Sequence, residues 1–292
     1  MRSSQSLRRE VPARTEADLA HYWREGYAVV RGFFDRVEIA EISEALDRLY
    51  AEGVNHGRSF RHGNLFYNVT PGPDGEPLVR MVQWPSYHQP VLNRVRLDPR
   101  FAELLEPLIG GDLKQIINQA HWKAPGSLGD FAWHQDSKSR RPASAYRNLA
   151  TSYVQTGLAI DPHSARAGGL RFIPRSHLRG DLRMDCERHS LGAPMADSAL
   201  DAIGLAASNA IDLELEPGDL ALWSPYLVHG SGTNRSNHKR RFYINGYVRA
   251  SDCDRGEWSF RNGRSVPLGS KPALVHYEEL RERPEPHYPT DG

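Results

Sequence analysis

His134 and Asp136 stand two residues apart in FAWHQDSKS. On extended backbone successive side chains alternate between faces, so this spacing sends an imidazole and a carboxylate out on the same side. There they can take adjacent positions around a divalent metal. Taken alone the pair is a weak signal, because in a chain with 13 His and 36 Asp+Glu a His-x-Asp triplet arises about once by chance. His229, in ALWSPYLVHGSG, strengthens it. Two strands remote in sequence but adjacent in a small barrel would bring His229 to the pair and complete a face of two imidazoles and one carboxylate. Such a face leaves three positions open and suits non-haem Fe(II), which must take a bidentate cosubstrate and O₂ together; zinc sites of the hydrolytic kind keep one position, for water. Arg240 begins a strand eleven residues past His229. A planar guanidinium pairs a carboxylate two-pronged, so Arg240 is the candidate for the far end of a dicarboxylate cosubstrate.

The elements that must position these residues can be read from the patterning. A polar, basic arm over 1–14 precedes a short helix from Thr15 to Trp23 and a strand at Tyr27–Arg31. After Asp35, Val37, Ile39, Ile42, Leu46 and Leu49 mark one apolar face at the helical period. Residues 53–73 are rich in Gly, Asn and His and read as irregular. Asp98 as N-cap, Pro99 at the first position and Gly110-Gly111 as the stop define a further helix. From 113 onward the pattern is extended: 113–123, 152–160, 170–173, 211–215, 219–223 and 240–248 read as strands separated by Gly and Pro turns. Helices followed by many short strands argue for a mainly β fold with packed helices, a sandwich or barrel. A single domain over 15–250 is expected, with 190–210 as a loop insertion and 251–292 as a C-terminal extension bearing a helix near 272–283.

Four segments together, WHQD at 133–136, GGLRFIPRSHLRG at 168–180, PGDLALW at 217–223 and HGSGTNRSNHKRR at 229–241, resemble the phytanoyl-CoA dioxygenase family of Fe(II)/2-oxoglutarate oxygenases, in the same order over roughly residues 20–250. The resemblance implies a double-stranded β-helix (jelly-roll) core flanked by N-terminal helices. It implies His134, Asp136 and His229 as iron ligands, Arg240 and Ser231 on the C5 carboxylate of 2-oxoglutarate, and Lys123 against the cosubstrate. Arg241 is the alternative should the strand register slip by one. Gln119 shares a face with Lys123 and could touch cosubstrate or substrate, and His121, in phase with both, could line the substrate side. Tyr67, Asn68, Gln83 and Trp84 fall in segments that cover the site in the family and are candidate substrate contacts. Asp136 fits the hydroxylating pattern, since halogenating relatives carry a small residue there. One departure stands out: Gly157, in QTGLAID, occupies a place where many members carry a bulky aromatic, so the pocket near Gln155 and Gly157 is expected to be roomier or built differently.

Composition narrows the field. With 37 Lys+Arg against 36 Asp+Glu and a net charge of +1, no global field draws a polyanion, so nucleic acid is not an expected partner. No apolar run reaches the roughly 18 residues of a membrane span and no secretory leader is visible, which points to a cytoplasmic protein without a membrane partner. Cys186 and Cys253 form no metal or disulfide pattern. The basic run Lys138, Arg140, Arg141 and Arg147 reads either as a solvated loop or as a pocket mouth that attracts an anionic group on a small substrate; Lys138 and Arg141 are its candidate contacts. The expected activity is hydroxylation of an unactivated C–H bond of a small polar metabolite, with succinate and CO₂ released. A cupin-like zinc or manganese isomerase or hydrolase, and a barrel that has lost its chemistry, are the alternatives.

Overall fold

The computed structural model describes residues 16–269 apart from 63–64, 73, 127–130, 183 and 185–194; the expected helix near 272–283, the arm over 1–14 and Cys186 lie outside them. Helix α1 (Glu16–Glu25) leads into strand β1 (Tyr27–Val30), and α2 (Arg36–His56) follows. Asp35 starts α2 with a capping box: its carboxylate accepts from the Val37 and Glu38 amides while Glu38 accepts from the Asp35 amide. Strands β2 (Phe60–His62), β3 (Leu65–Pro71) and β4 (Pro77–Gln83) precede α3 (Pro90–Arg96) and α4 (Pro99–Ile109). The core strands are β5 (Leu113–Lys123), β6 (Phe131–His134), β7 (Tyr153–Ala159, after the short α5, Leu149–Ser152) and β8 (Leu170–Phe172). Then come α6 (Ser198–Asp201), β9 (Ile211–Asp212), β10 (Leu220–Trp223), β11 (His229–Ser231), β12 (Arg240–Arg249), β13 (Glu257–Arg261) and β14 (Arg264–Ser265).

Two antiparallel sheets face each other. The larger runs β1-β10-β7-β12-β5-β4-β3-β2, with β13 joining β5 and β14 joining β13; the smaller runs β6-β11-β8-β9. The strand alternation divides the larger sheet cleanly. On β12, Tyr243 and Tyr247 point outward with Trp122 and Ala120 of β5, into a core shared with Ile42, Leu46 and Leu49 of α2 and Phe101, Leu104 and Leu105 of α4. The alternate residues point inward to the space between the sheets. The mainly β architecture with helices on one side is the one the patterning implies, and its jelly-roll core is the one the family resemblance implies.

Three segments differ from expectation. The described residues of 53–73 include the end of α2, β2 and the whole of β3, where irregular chain was expected; Leu65, Tyr67 and Val69 are buried at period two, a rhythm masked by the surrounding Gly, Asn and His. The 211–215 strand shortens to β9, although Leu213 and Leu215 remain buried. Of the 190–210 insertion the described part, 195–210, contains α6, whose Leu200 packs with Trp133, Ile173 and Val228.

Candidate metal and cosubstrate site

Strand register builds the triad. His229 of β11 is the direct cross-strand partner of His134 of β6, which brings the two rings to 4.1 Å between centroids. Gln135 remains extended before a turn of 3₁₀ helix begins at Asp136, so Asp136 shares a face with His134 as its spacing predicts. Between them Gln135 points away and braces the turn: its amide donates to the Gly180 and Tyr226 carbonyls and its oxygen accepts from the Leu182 amide. His134 Nε2 lies 3.9 Å from Asp136 Oδ1, and His229 Nε2 lies 3.7 Å from Asp136 Oδ2.

The donors suit a divalent ion. Each Nδ1 is engaged by a backbone carbonyl, His134 with Ala132 at 2.8 Å and His229 with Leu227 at 2.9 Å, which turns both Nε2 atoms toward the cavity. Burial and the neighbouring His229 push the His134 pKa down to about 4, so that imidazole is already neutral, the form a metal needs. Burial works against ionised Asp136, but His229, Arg140, His134 and the Trp223 indole N–H, 2.9 Å from Oδ2, outweigh it and hold the carboxyl below its usual range. Among the described residues this is the group of His and acidic side chains arranged to hold a metal ion.

The triad opens on a cavity of about 340 Å³ between the two sheets. Its wall on the larger sheet is a row of inward-facing pairs: Phe242 opposite His121 and Ile244 opposite Gln119 across β12 and β5, with Gln83 of β4 beside Gln119. His121 bonds to Gln119 at 3.1 Å, and burial, with the charges of Arg240 and Lys123, drives its pKa down to about 3. It is a neutral polar group in the wall. Trp84 lines the cavity from a left-handed backbone conformation (φ 56°), with its amide donating to the Asn118 carbonyl at 2.6 Å.

Two adjacent arginines receive opposite fates from the same alternation. Arg240 faces inward, lines the cavity and is 4% exposed; its Nε has no hydrogen-bond partner and, among the described residues, it forms no ion pair. Burial, opposed by Asp161, lowers its pKa to about 10, which leaves it charged at neutral pH. Arg241 faces the helices, where Asp161 takes its Nε and Nη2 and Asp47 of α2 its Nη1. The alternative of a one-residue slip therefore falls away. Ser231 lines the cavity and accepts from the Lys123 ammonium at 2.8 Å. Lys123 itself is off the cavity wall, turned also to the carbonyls of Gly168 and Gly232.

A family model described as phytanoyl-CoA dioxygenase matches residues 22–242. The chain belongs to the phytanoyl-CoA dioxygenase family. It is accordingly an Fe(II)/2-oxoglutarate-dependent oxygenase with O₂ as cosubstrate. Relatives within reach of sequence include the dioxygenase lolE1 of Epichloe uncinata, 25% identical over 78% of this chain and 80% of that one. Another is a probable alpha-ketoglutarate-dependent hypophosphite dioxygenase of Stutzerimonas stutzeri, 24% identical over 78% and 77%. The fold is also that of the epimerase SnoN, solved with Fe³⁺, alpha ketoglutarate and a nogalamycin compound, at a TM-score of 0.60 and 21% identity over 89% of this chain and 95% of that one.

Several expected contacts sit elsewhere in this family member. Gln83, Trp84, Gln119 and His121 line the cavity, but Tyr67 is fully buried on the outer face, stacked on Phe60 and donating to Glu52 at 2.7 Å. Asn68 is its neighbour on β3 and does not reach the cavity wall. Lys138 pairs with Asp181, and the exposed Arg141 turns back to the Arg140 carbonyl. The residue of the basic run that does enter the cavity is Arg140. Nothing in the sequence distinguishes it from Arg141, because the 3₁₀ turn over Asp136–Ser139 sets which one points in. Trp223, inside the PGDLALW segment, and Phe242, inside the 240–248 strand, also line the cavity, though neither residue type marks them out in the sequence.

Proposed function

We propose that the protein hydroxylates an unactivated C–H bond of a small polar metabolite, R–H + O₂ + 2-oxoglutarate giving R–OH + succinate + CO₂. His134, Asp136 and His229 hold Fe(II), and the iron supplies the O₂ activation on which the oxidative decarboxylation of the 2-oxo acid depends. Arg240 takes the far carboxylate of 2-oxoglutarate in a two-pronged ion pair, with Ser231 adding a hydroxyl that Lys123 orients from behind. The remaining wall, from Gln83 and Trp84 to Gln119 and His121, offers amide and imidazole groups amid aromatic surface, which fits a small substrate with a few hydrogen-bonding groups. The enzyme's contribution is to fix ligand orientation and hold the dicarboxylate in a water-poor cavity where the ion pair is strong.

The observation that carries this reading is the buried Arg240, without an ion-pair partner among the described residues, beside Arg241 with two. A charge held in that state fits a ligand that brings its own carboxylate. Anaerobic titration with Fe(II) and 2-oxoglutarate tests it. A weak visible charge-transfer band, near roughly 500 nm for this ligation type, is expected in the native protein and should be lost in Asp136→Ala. A protein that binds iron yet gives no band with 2-oxoglutarate would return the site to the zinc or manganese alternatives.

A further inference from the structure

Arg140 is the second buried guanidinium of the cavity. It is 6% exposed, lines the wall and donates from Nη2 to the Tyr153 hydroxyl at 3.1 Å, with its charge over the Tyr153 ring. Among the described residues its one acidic neighbour is Asp136, whose Oδ1 is 3.9 Å away. That carboxylate is part of the triad, and among the described residues the buried Arg140 Nε has no hydrogen-bond partner. A guanidinium in this setting holds unspent donors beside the metal site.

Arg140 and Arg240 address different ends of the cavity. The Tyr153 hydroxyl that receives Arg140 sits over Gly246, six residues along β12 from Arg240, about 20 Å at the usual strand rise. One dicarboxylate anchored at Arg240 cannot also satisfy Arg140 while chelating a metal at the triad. Charge leads to the same conclusion. The cavity wall carries two guanidiniums and one carboxylate, Asp136. A divalent ion raises this balance, the doubly negative 2-oxoglutarate lowers it, and one positive charge is left over at Arg140.

Building on the function proposed above, we propose that Arg140 anchors the substrate through an oxyanion, and that the substrate is a small organic acid, a carboxylate or phosphonate, oxidised at a carbon only a few bonds from that group. Gln155 lines the cavity beside Arg140 with its side-chain oxygen accepting from the Tyr153 hydroxyl, and its amide N–H can meet the remaining oxygens. Because Arg140 lies 3.9 Å from Asp136, itself one of the triad, an acid bound there would hold its nearest C–H bonds beside the triad. Arg140 is thus a specificity determinant that selects charge and sets the position of attack.

Calorimetric titration with propionate, methylphosphonate and the neutral propionamide separates the possibilities, in metal-free protein and in anaerobic protein holding Fe(II) and 2-oxoglutarate. At least one anion should bind tenfold or more tighter than propionamide, in both forms. Arg140→Gln should remove that preference, Arg140→Lys should keep part of it, and both variants should still give the charge-transfer band of the native protein. An anion that binds Arg140→Gln as well as the native protein, or binds only when metal is present, overturns the proposal, as does a native protein that prefers no anion. A missing charge-transfer band in the native protein would instead count against the oxygenase reading, while the metal-free titration still decides the role of Arg140.

Discussion

Gly157 shows how a single residue can move a pocket wall from one strand to the next. The sequence places a glycine where a bulky aromatic is usual, and a roomier pocket is the natural expectation. The space is filled instead by Phe242, from the neighbouring strand, whose ring edge would lie 2.3 Å from a Cβ on Gly157. Phe242 rests against the His163 ring at 4.6 Å between centroids and beneath the Arg240 guanidinium at 5.8 Å. A methyl group at 157 therefore has to displace the ring, a form of overpacking that costs about 1–3 kcal/mol. We expect Gly157→Ala to lower the melting temperature and to weaken 2-oxoglutarate about tenfold as Phe242 leans toward Arg240, with Phe242→Leu in the same chain restoring both. Unchanged 2-oxoglutarate affinity in Gly157→Ala would show that the ring does not shape that end of the cavity. Trp223 is the other residue whose role only the fold displays: its indole N–H is a donor to Asp136 Oδ2. Removing it in Trp223→Phe should weaken Fe(II) binding by roughly 10–100-fold, as loss of a partner behind a metal ligand commonly does. Calorimetry with Fe(II) under nitrogen measures it.

At the scale of elements, what was legible followed from period and caps. The α2 face, the Asp98-Pro99 start of α4 and the two-residue alternation of β5 and β12 are written in side-chain types that the fold uses as they stand. The alternation even sorted Arg240 from Arg241. The β2–β4 ribbon was not legible, because Gly, Asn and His interrupt its apolar positions. Tyr67 was misplaced with it: being buried on the outer face, it serves a latch rather than a substrate. Glu52 of α2 accepts from the Tyr67 hydroxyl and lies 3.0 Å from His88 Nε2, at the end of the turn that carries the cavity residue Trp84. The hydrogen bond to Glu52 raises the His88 pKa, so the stability His88 contributes is full below its ordinary value near 6.5 and drains away as pH rises through the higher folded value. The His88 hydrogen bond lowers the Glu52 pKa, with help from Tyr67 and the charge of His56. Its share is full above the ordinary 4.5 and drains as pH falls. Both partners are about a third exposed or more, which keeps the pair under about 1 kcal/mol. The difference in melting temperature between native protein and His88→Gln should thus be widest between these two values and shrink on either side; a difference that stays flat from pH 4 to 9 would leave the latch without a role.

Across the whole molecule, the near-neutral charge of +1 conceals a cavity whose wall is positive, and the cavity lies between two sheets that contribute different chemistry. The smaller sheet supplies His134 and His229 on neighbouring strands, with Asp136 in the turn that follows. The larger sheet supplies Arg240. A metal ion alone would tie together parts of the smaller sheet, whereas 2-oxoglutarate chelated to that metal and paired with Arg240 would bridge the two sheets. Ligands that bind only the folded state stabilise it by about 2.7 kcal/mol at a hundred times their Kd, which in a chain of this size amounts to several degrees. Melting curves under nitrogen should rise in two separable steps, one with Fe(II) and a second with 2-oxoglutarate that requires the metal. Arg240→Ala should keep the first step and lose most of the second, and Asp136→Ala should lose both. If Arg240→Ala retained the full second step, the cosubstrate would be held within the smaller sheet alone, and the buried guanidinium across the cavity would belong to something else.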